Sequence, residues 1–324
     1  MPPAGAALVS ERSWRRPRLD WITLATVGVL VLALGYLGWL GTAALPEPTP
    51  TPVPPPVFDG DRALALAQYQ CEIGPRPTGS PAGRQTGDWI IEQLQLAGWT
   101  VETQEFTHNG VTARNIVAKA GRGDVLLLGA HYDTRLVADR DPDTARRNEP
   151  VLGANDGASG VAVLLELARA LDVESMPHEV WLAFFDAEDN GDLEGWDWAL
   201  GSRYMAENLE SLPRAMILLD MVGDADQRFL WEGNSDPQLR QHLWQTATIL
   251  GYKEYFVPEV GPTLIDDHVA FLERGVPAVD IVDFEYPPWH TTADTCDKLS
   301  AESLGRVGRL LEIYLERGLI RALQ

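Results

Sequence analysis

The chain has 324 residues and a formal net charge of −21, with 26 Lys and Arg against 47 Asp and Glu. A surface that acidic repels nucleic acid and anionic lipid headgroups, which excludes both as partners of the folded part. Its two cysteines, Cys71 and Cys296, form no Cys-x-x-Cys pair, which argues against a cysteine zinc site or a thioredoxin-like redox site.

Residues 1–20 form a short segment carrying Arg12, Arg15, Arg16 and Arg18, and residues 21–41 are uncharged and mostly apolar. That run matches the ~20 residues of a membrane helix and exceeds the ~7–15 of a signal-peptide core, so a signal-anchor is expected over a cleaved leader. The arginines precede it and no Lys or Arg follows closely, so the positive-inside rule puts the N-terminus in the cytoplasm. The expected location is the cell membrane, with one span and an extracytoplasmic domain. Residues 42–57 are proline-rich, which favours a semi-rigid polyproline II stalk rising about 3.1 Å per residue.

Residues 58–324 suit one large α/β domain. Without the first 56 residues the chain keeps 22 basic and 44 acidic residues. An extracytoplasmic compartment would permit a Cys71–Cys296 disulfide. Asp59 is expected to cap a helix running through Cys71, and Ser80-Pro81 to open a second that stops at Gly98. Strands are expected over 99–107 and 113–119, joined by an Asn109-Gly110 turn. Further strands follow over 178–185, 215–220, 228–232 and 277–282, alternating with helices, the last from Ser300 to about Leu319. This alternation predicts a three-layer α/β/α sandwich on a mixed, mostly parallel sheet.

Four apolar runs end in residues that bind metals. Val125–Ala130 leads to His131-Tyr132-Asp133, and Val180–Phe185 to Asp186-Ala187-Glu188-Asp189. Met216–Leu219 ends in Asp220, and Val279–Phe284 leads toward Trp289-His290-Thr291. Short continuous apolar runs read as buried strands, and ligands of such sheets bind beyond the strands' carboxyl ends.

Each residue also has a structural explanation. His131 and Asp133, two apart, can face the same way, either as ligand and orienting group or as a structural pair. Asp156, in the glycine-rich start of a helix, is a metal carboxylate or an N-cap. Glu188 and Asp189 are adjacent carboxylates whose repulsion a cation or proton would offset, or they belong to a solvated loop with Asp192, Glu194 and Asp197. Asp267 follows Asp266 where a helix starts, and a cap accounts for both. Convergence on one sheet edge favours the metal reading. No Gly-x-Ser-x-Gly elbow, phosphate loop or His-Glu-x-x-His helix competes with it.

In order, Gly129–Asp133, Asn155–Gly160, Phe184–Asp189, Leu219-Asp220, Asp266-Asp267-His268 and Trp289-His290-Thr291 resemble metallopeptidase family twenty-eight, which unites zinc aminopeptidases with glutaminyl-peptide cyclotransferases. The resemblance spans about residues 60–320. In an aminopeptidase it implies two zincs on His131, Asp156, Asp189, Asp220 and His290, with Glu188 activating water. In a cyclotransferase it implies one zinc on Asp156, Asp189 and His290, with Glu188 as acid/base tuned by Asp220 and Asp267. Asp133 and His268 would then support the site, and Trp196 and Trp289 would wall a glutamine pocket. The Asp-Asp-His motif, Trp289 and the Trp196/Trp198 to Tyr204 stretch resemble the cyclotransferase branch. The family usually has Glu-Glu where this chain has Glu188-Asp189. The expected activity is cyclisation of N-terminal glutamine on peptides or proteins, with release of ammonia. The alternatives are aminopeptidase action and a tethered binding domain without catalysis.

Overall fold

The computed structural model describes residues 20–42, 56–193 and 195–317. They belong to two compact units, residues 1–55 and residues 56–324. Most of the N-terminal segment (1–19) and of the proline-rich stalk (43–55) lies outside the described residues. In the first unit, helix α1 (Trp21–Thr42) carries no charge. Its side chains from Trp21 to Tyr36 are exposed all round. Among the described residues no helix is long and apolar enough to cross a membrane.

The second unit opens with α2 (Gly60–Ile73), whose first turn is capped by the Asp59 carboxylate accepting from the amides of Asp61 and Arg62. In α3 (Pro81–Leu96), Ser80 caps the amide of Gly83 and proline fills the first turn. Strands β1 (Thr100–His108) and β2 (Val111–Gly121) form the expected hairpin. Asn109 and Gly110, both at positive φ, make the turn that follows strand twist.

Next come β3 (Asp124–His131), α4 (Ala158–Ala170), β4 (His178–Phe185), α5 (Leu200–Asn208) and β5 (Ala215–Asp220). The chain continues with β6 (Phe229–Trp231), α6 (Pro237–Ile249), β7 (Phe256–Val260), α7 (Asp267–Leu272), β8 (Ala278–Val282) and α8 (Ala301–Glu316). Strand β7 is absent from the sequence reading, because Pro258 within it suits only an edge strand. It pairs with β6 in a separate two-stranded sheet.

The main sheet runs β1-β2-β4-β3-β5-β8. β1, β2 and β4 are antiparallel neighbours, while β4, β3, β5 and β8 are parallel. Alternation along β3 sends Leu126, Leu128 and Ala130 into a core shared with α3, α4, α6 and α8. Leu127 faces the other way, into a core with α5 and α7. The chain leaves β3 toward β4 on one side and then returns to β5 on the other, so the topological switch lies at β3. A ligand crevice opens beyond the carboxyl ends there.

Cys71, in α2, is bonded to Cys296, 225 residues away, in the 3-10 turn Cys296–Lys298. Replacing both cysteines by serine releases that loop in the unfolded chain and is expected to cost about 2–4 kcal/mol. An unchanged denaturant midpoint for Cys71→Ser/Cys296→Ser would remove the disulfide from the account of stability.

Candidate active site

The parallel strands deliver their polar ends to one place. His131 is the last residue of β3, buried and against Gly157, where a Cβ would lie 2.4 Å from the His131 carbonyl oxygen and 2.7 Å from its ring. Only glycine fits that approach. The preceding Asp156–Gly157 peptide bond is cis. The Asp156 segment is also held from behind, since the Asp294 carboxylate accepts from the amides of Asn155 (2.9 Å) and Asp156 (3.3 Å). Asn155 in turn accepts from the Gly223 amide at 2.7 Å, which ties this turn to the segment after β5.

Asp156 sits between two histidines. His131 Nε2 lies 3.0 Å from Asp156 Oδ1 and 3.2 Å from Asp220 Oδ1. His290 Nε2 lies 2.9 Å from Asp189 Oδ1 and 3.6 Å from Asp156 Oδ2. Two donor groups result, His131/Asp156/Asp220 and Asp156/Asp189/His290, each with its atoms within 4.8 Å of one another. Asp156 Oδ2, Asp189 Oδ2 and His290 Nε2 are buried without a hydrogen-bond partner. Mixed nitrogen and oxygen donors, buried and unspent, fit a zinc ion.

Asp133 supports this arrangement. Its carboxylate accepts from the amides of Glu188 (3.1 Å) and Asp189 (3.2 Å) and from the Thr78 hydroxyl (3.1 Å), and it stands 3.6 Å from His131 Nδ1. The adjacent acids are therefore aimed by main-chain bonds rather than left in a solvated loop.

The electrostatics follow from burial. Glu188 is pushed well above the usual carboxylate range by burial; His131 opposes the shift, while Asp266, Asp189 and Asp267 add to it. Burial, followed by the charge of Asp156, raises Asp189 to about 6 against the pull of His290. Asp220 rises to about 8, chiefly through burial, with His131 opposing and Asp266 and Asp156 reinforcing. Carboxylates crowded in this way accept a cation readily. They open into a cavity of about 210 Å³ whose apolar walls include Trp198, Leu264, Ile265, Phe284 and Trp289.

Of the residues expected from sequence, His131, Asp133, Asp156, Glu188, Asp189, Asp220, Trp289 and His290 come together here. Asp267, His268 and Trp196 lie outside the cavity lining, as do His131 and Asp133. At the α7 N-terminus it is Asp266 that lines the cavity, whereas Asp267 is fully buried and absent from the lining. Asp266 is the extended N-cap and Asp267 the first helical residue, so their side chains leave in different directions. His268 is fully buried and pairs with Glu232 at 3.0 Å. Trp196 packs on the His108 ring at 5.1 Å, and Trp198 takes the wall position, stacked 5.9 Å from His290. The bare backbone of Gly191 makes room for the Trp198 indole.

The sequence reading also missed Arg76, Arg135 and Asp294. Fully buried Arg76 donates to the carbonyls of Tyr132, Leu152 and Gly153, which flank the His131 and Asp156 segments. Burial lowers its guanidinium to about 10 against the nearby charges of Asp294, Asp133 and Asp156. Nothing in the sequence around it marks that role.

Comparison with known proteins decides the lineage. Residues 115–314 match Peptidase family M28.

The chain belongs to family M28.

It is 29% identical over 281 residues to the glutaminyl-peptide cyclotransferase-like protein of Mus musculus, covering 74% of this chain and 71% of that one. Its structure is similar to that of Porphyromonas gingivalis glutaminyl cyclase, with a TM-score of 0.76 at 36% identity, covering 82% of this chain and 100% of the other. It is also similar to a Zn-dependent exopeptidase from Parabacteroides distasonis, with a TM-score of 0.76 at 31% identity, covering 81% and 99%. This is a glutaminyl-cyclase-like M28 fold whose strand ends carry buried acids and histidines.

Asp133→Ala would leave the Glu188 and Asp189 amides without their acceptor, at roughly 1–3 kcal/mol for each buried donor. We expect a loss of about 2–4 kcal/mol by chemical denaturation. A wild-type midpoint would contradict the role given to Asp133.

Proposed function

We propose that this M28 enzyme is a zinc-dependent glutaminyl-peptide cyclotransferase, converting N-terminal glutamine to pyroglutamate with release of ammonia. The observation that carries the reading is a desolvated Glu188 at the floor of a small cavity whose walls include Trp198 and Trp289, beside a mixed nitrogen–oxygen donor set. Similarity to glutaminyl cyclases supports it.

Asp156, Asp189 and His290 would hold the zinc. When bound, the ion acts as a Lewis acid for a carbonyl oxygen. The tryptophan walls confine one side chain and exclude water, so that the substrate's own α-amine is the available nucleophile. Glu188 takes a proton from that amine as it attacks the side-chain amide carbon. The same carboxyl returns the proton to the nitrogen that leaves as ammonia. A carboxyl whose affinity for the proton is raised by burial suits both transfers. Asp266 and Asp267, whose charges raise Glu188, set with Asp220 how firmly it holds the proton, the role the sequence reading gave to Asp220 and Asp267.

A second reading, di-zinc aminopeptidase action on N-terminal residues, is favoured by the intact His131/Asp156/Asp220 group. A purely binding role has less to support it, because the ligands and the acid/base residue are all present.

We also place the catalytic domain outside the cell on a single N-terminal anchor, residues 21–41. Support comes from the apolar, uncharged run of α1, the arginines before it and the Cys71–Cys296 disulfide, which suits an oxidising compartment. The substrates would then be extracytoplasmic peptide or protein N-termini.

Glu188→Gln is expected to lower ammonia release from a glutamine-initiated peptide by at least ~100-fold, in line with the loss of a general acid/base. Zinc content should remain that of the wild type. Retained turnover would remove Glu188 from the chemistry. His290→Ala should lose zinc on dialysis, and unchanged metal content by elemental analysis would reject it as a ligand.

A further inference from the structure

Two of the proposed ligands, Asp189 and His290, are held by the same short stretch, residues 135–140 of the loop after β3. Arg135 is buried there. Its Nη1 donates to the carbonyl of Asp189 at 2.9 Å and to that of Gly191 at 3.1 Å. The same nitrogen lies 4.0 Å from Asp189 Oδ1. The other edge of the guanidinium grips Asp139 in a fork, Nε to Oδ1 at 2.7 Å and Nη2 to Oδ2 at 2.9 Å. The Arg135 guanidinium also lies over the Trp198 ring at 5.1 Å, and Trp198 stacks on His290.

From the other side, Asp139 Oδ1 faces His290 Nδ1 at 3.9 Å. One residue on, the Arg140 amide donates to the His290 carbonyl at 3.2 Å, and its guanidinium covers Trp289 at 4.2 Å. His290 itself sits at a φ of 56°, a left-handed conformation that a non-glycine residue keeps only when its surroundings enforce it.

We propose that Arg135 and Asp139 act as one positioning pair for the metal site, orienting His290 and fixing the reach of Asp189. This rests on the zinc reading given above. Two arguments carry it. A carboxylate beside Nδ1 favours the tautomer protonated there, which leaves the Nε2 lone pair directed at Asp156 and Asp189. Asp189, one methylene shorter than a glutamate, places its carboxylate largely through its main chain. That main chain is what Arg135 grips.

The pairing also solves a charge problem. An unpaired guanidinium 4.0 Å from a ligand carboxylate would compete with a metal for it. The bidentate bond to Asp139 neutralises Arg135 while keeping its donors in place. Removing Asp139 therefore weakens the site twice, through the histidine and through the released positive charge.

The test is zinc affinity of the full-length protein in detergent, measured by competition with a chromogenic chelator, with the visible spectrum of the Co2+-substituted protein as a report on ligand geometry. Asp139→Ala and Arg135→Ala are each expected to weaken zinc binding about 10–100-fold and to change the cobalt spectrum. Asp139→Asn, which keeps an oxygen toward Nδ1 but loses the charge, should fall between them and the wild type, and it serves should either alanine variant fail to fold. Asp143→Ala, in the same loop, should match the wild type in both readouts. Wild-type affinity and spectrum in the folded Asp139 and Arg135 variants would overturn the pair's role while leaving the zinc site standing. Failure of the wild type itself to bind zinc would overturn the zinc reading, and this inference with it.

Discussion

Repulsion among buried carboxylates is the constraint on which this structure turns. Asp156, Glu188, Asp189, Asp220 and Asp266 all border one cavity, and the ends of β4 and β5 deliver three of them. No such cluster persists away from water unless its charge is offset. The protein supplies part of the offset itself, through His131 and His290 on either side of Asp156 and through Arg76 and Arg135 reaching in from neighbouring loops. The remainder is shared between protons, which burial favours on Asp220 and Glu188, and the zinc ion proposed at the donor groups. The fold serves this arrangement. The topological switch at β3 opens the crevice, α4 begins beside it, and the Asp133 and Asp294 carboxylates hold the amides of the ligand-bearing turns.

That burden explains which parts were legible in the sequence. Strands were readable because their apolar runs are continuous, and the ends of those runs named His131, Glu188, Asp189 and Asp220. Helix starts were readable from Asp59 and Ser80, whose side chains cap them as expected. Neighbouring residues at a turn were not separable. Asp266 and Asp267 differ by one position, yet one lines the cavity and the other is buried outside its lining, close enough for its charge to raise Glu188, because a cap residue and a first helical residue point apart. Trp196 and Trp198 differ in the same way, in a loop that returns through Ala199 at positive φ. Arg76 and Asp294 escaped notice for another reason. They act on main-chain groups 77 and 139 residues away, and no local pattern records such contacts.

The same donor set serves two chemistries, and the difference between them is who supplies the nucleophile. Hydrolysis needs a water beside the acid/base. Cyclisation needs that water absent and the substrate's amine folded back on its own side chain. The narrow aromatic walls favour the second arrangement, whereas the complete His131/Asp156/Asp220 group would suit the first.

The most direct measurement is mass spectrometry of products formed by the zinc-loaded, full-length protein from two matched peptides, one beginning with glutamine and one with leucine. The account predicts loss of ammonia from the first, with its chain length intact, and no change in the second. Release of free leucine, with the glutamine peptide left uncyclised, would contradict it and assign the site to an aminopeptidase.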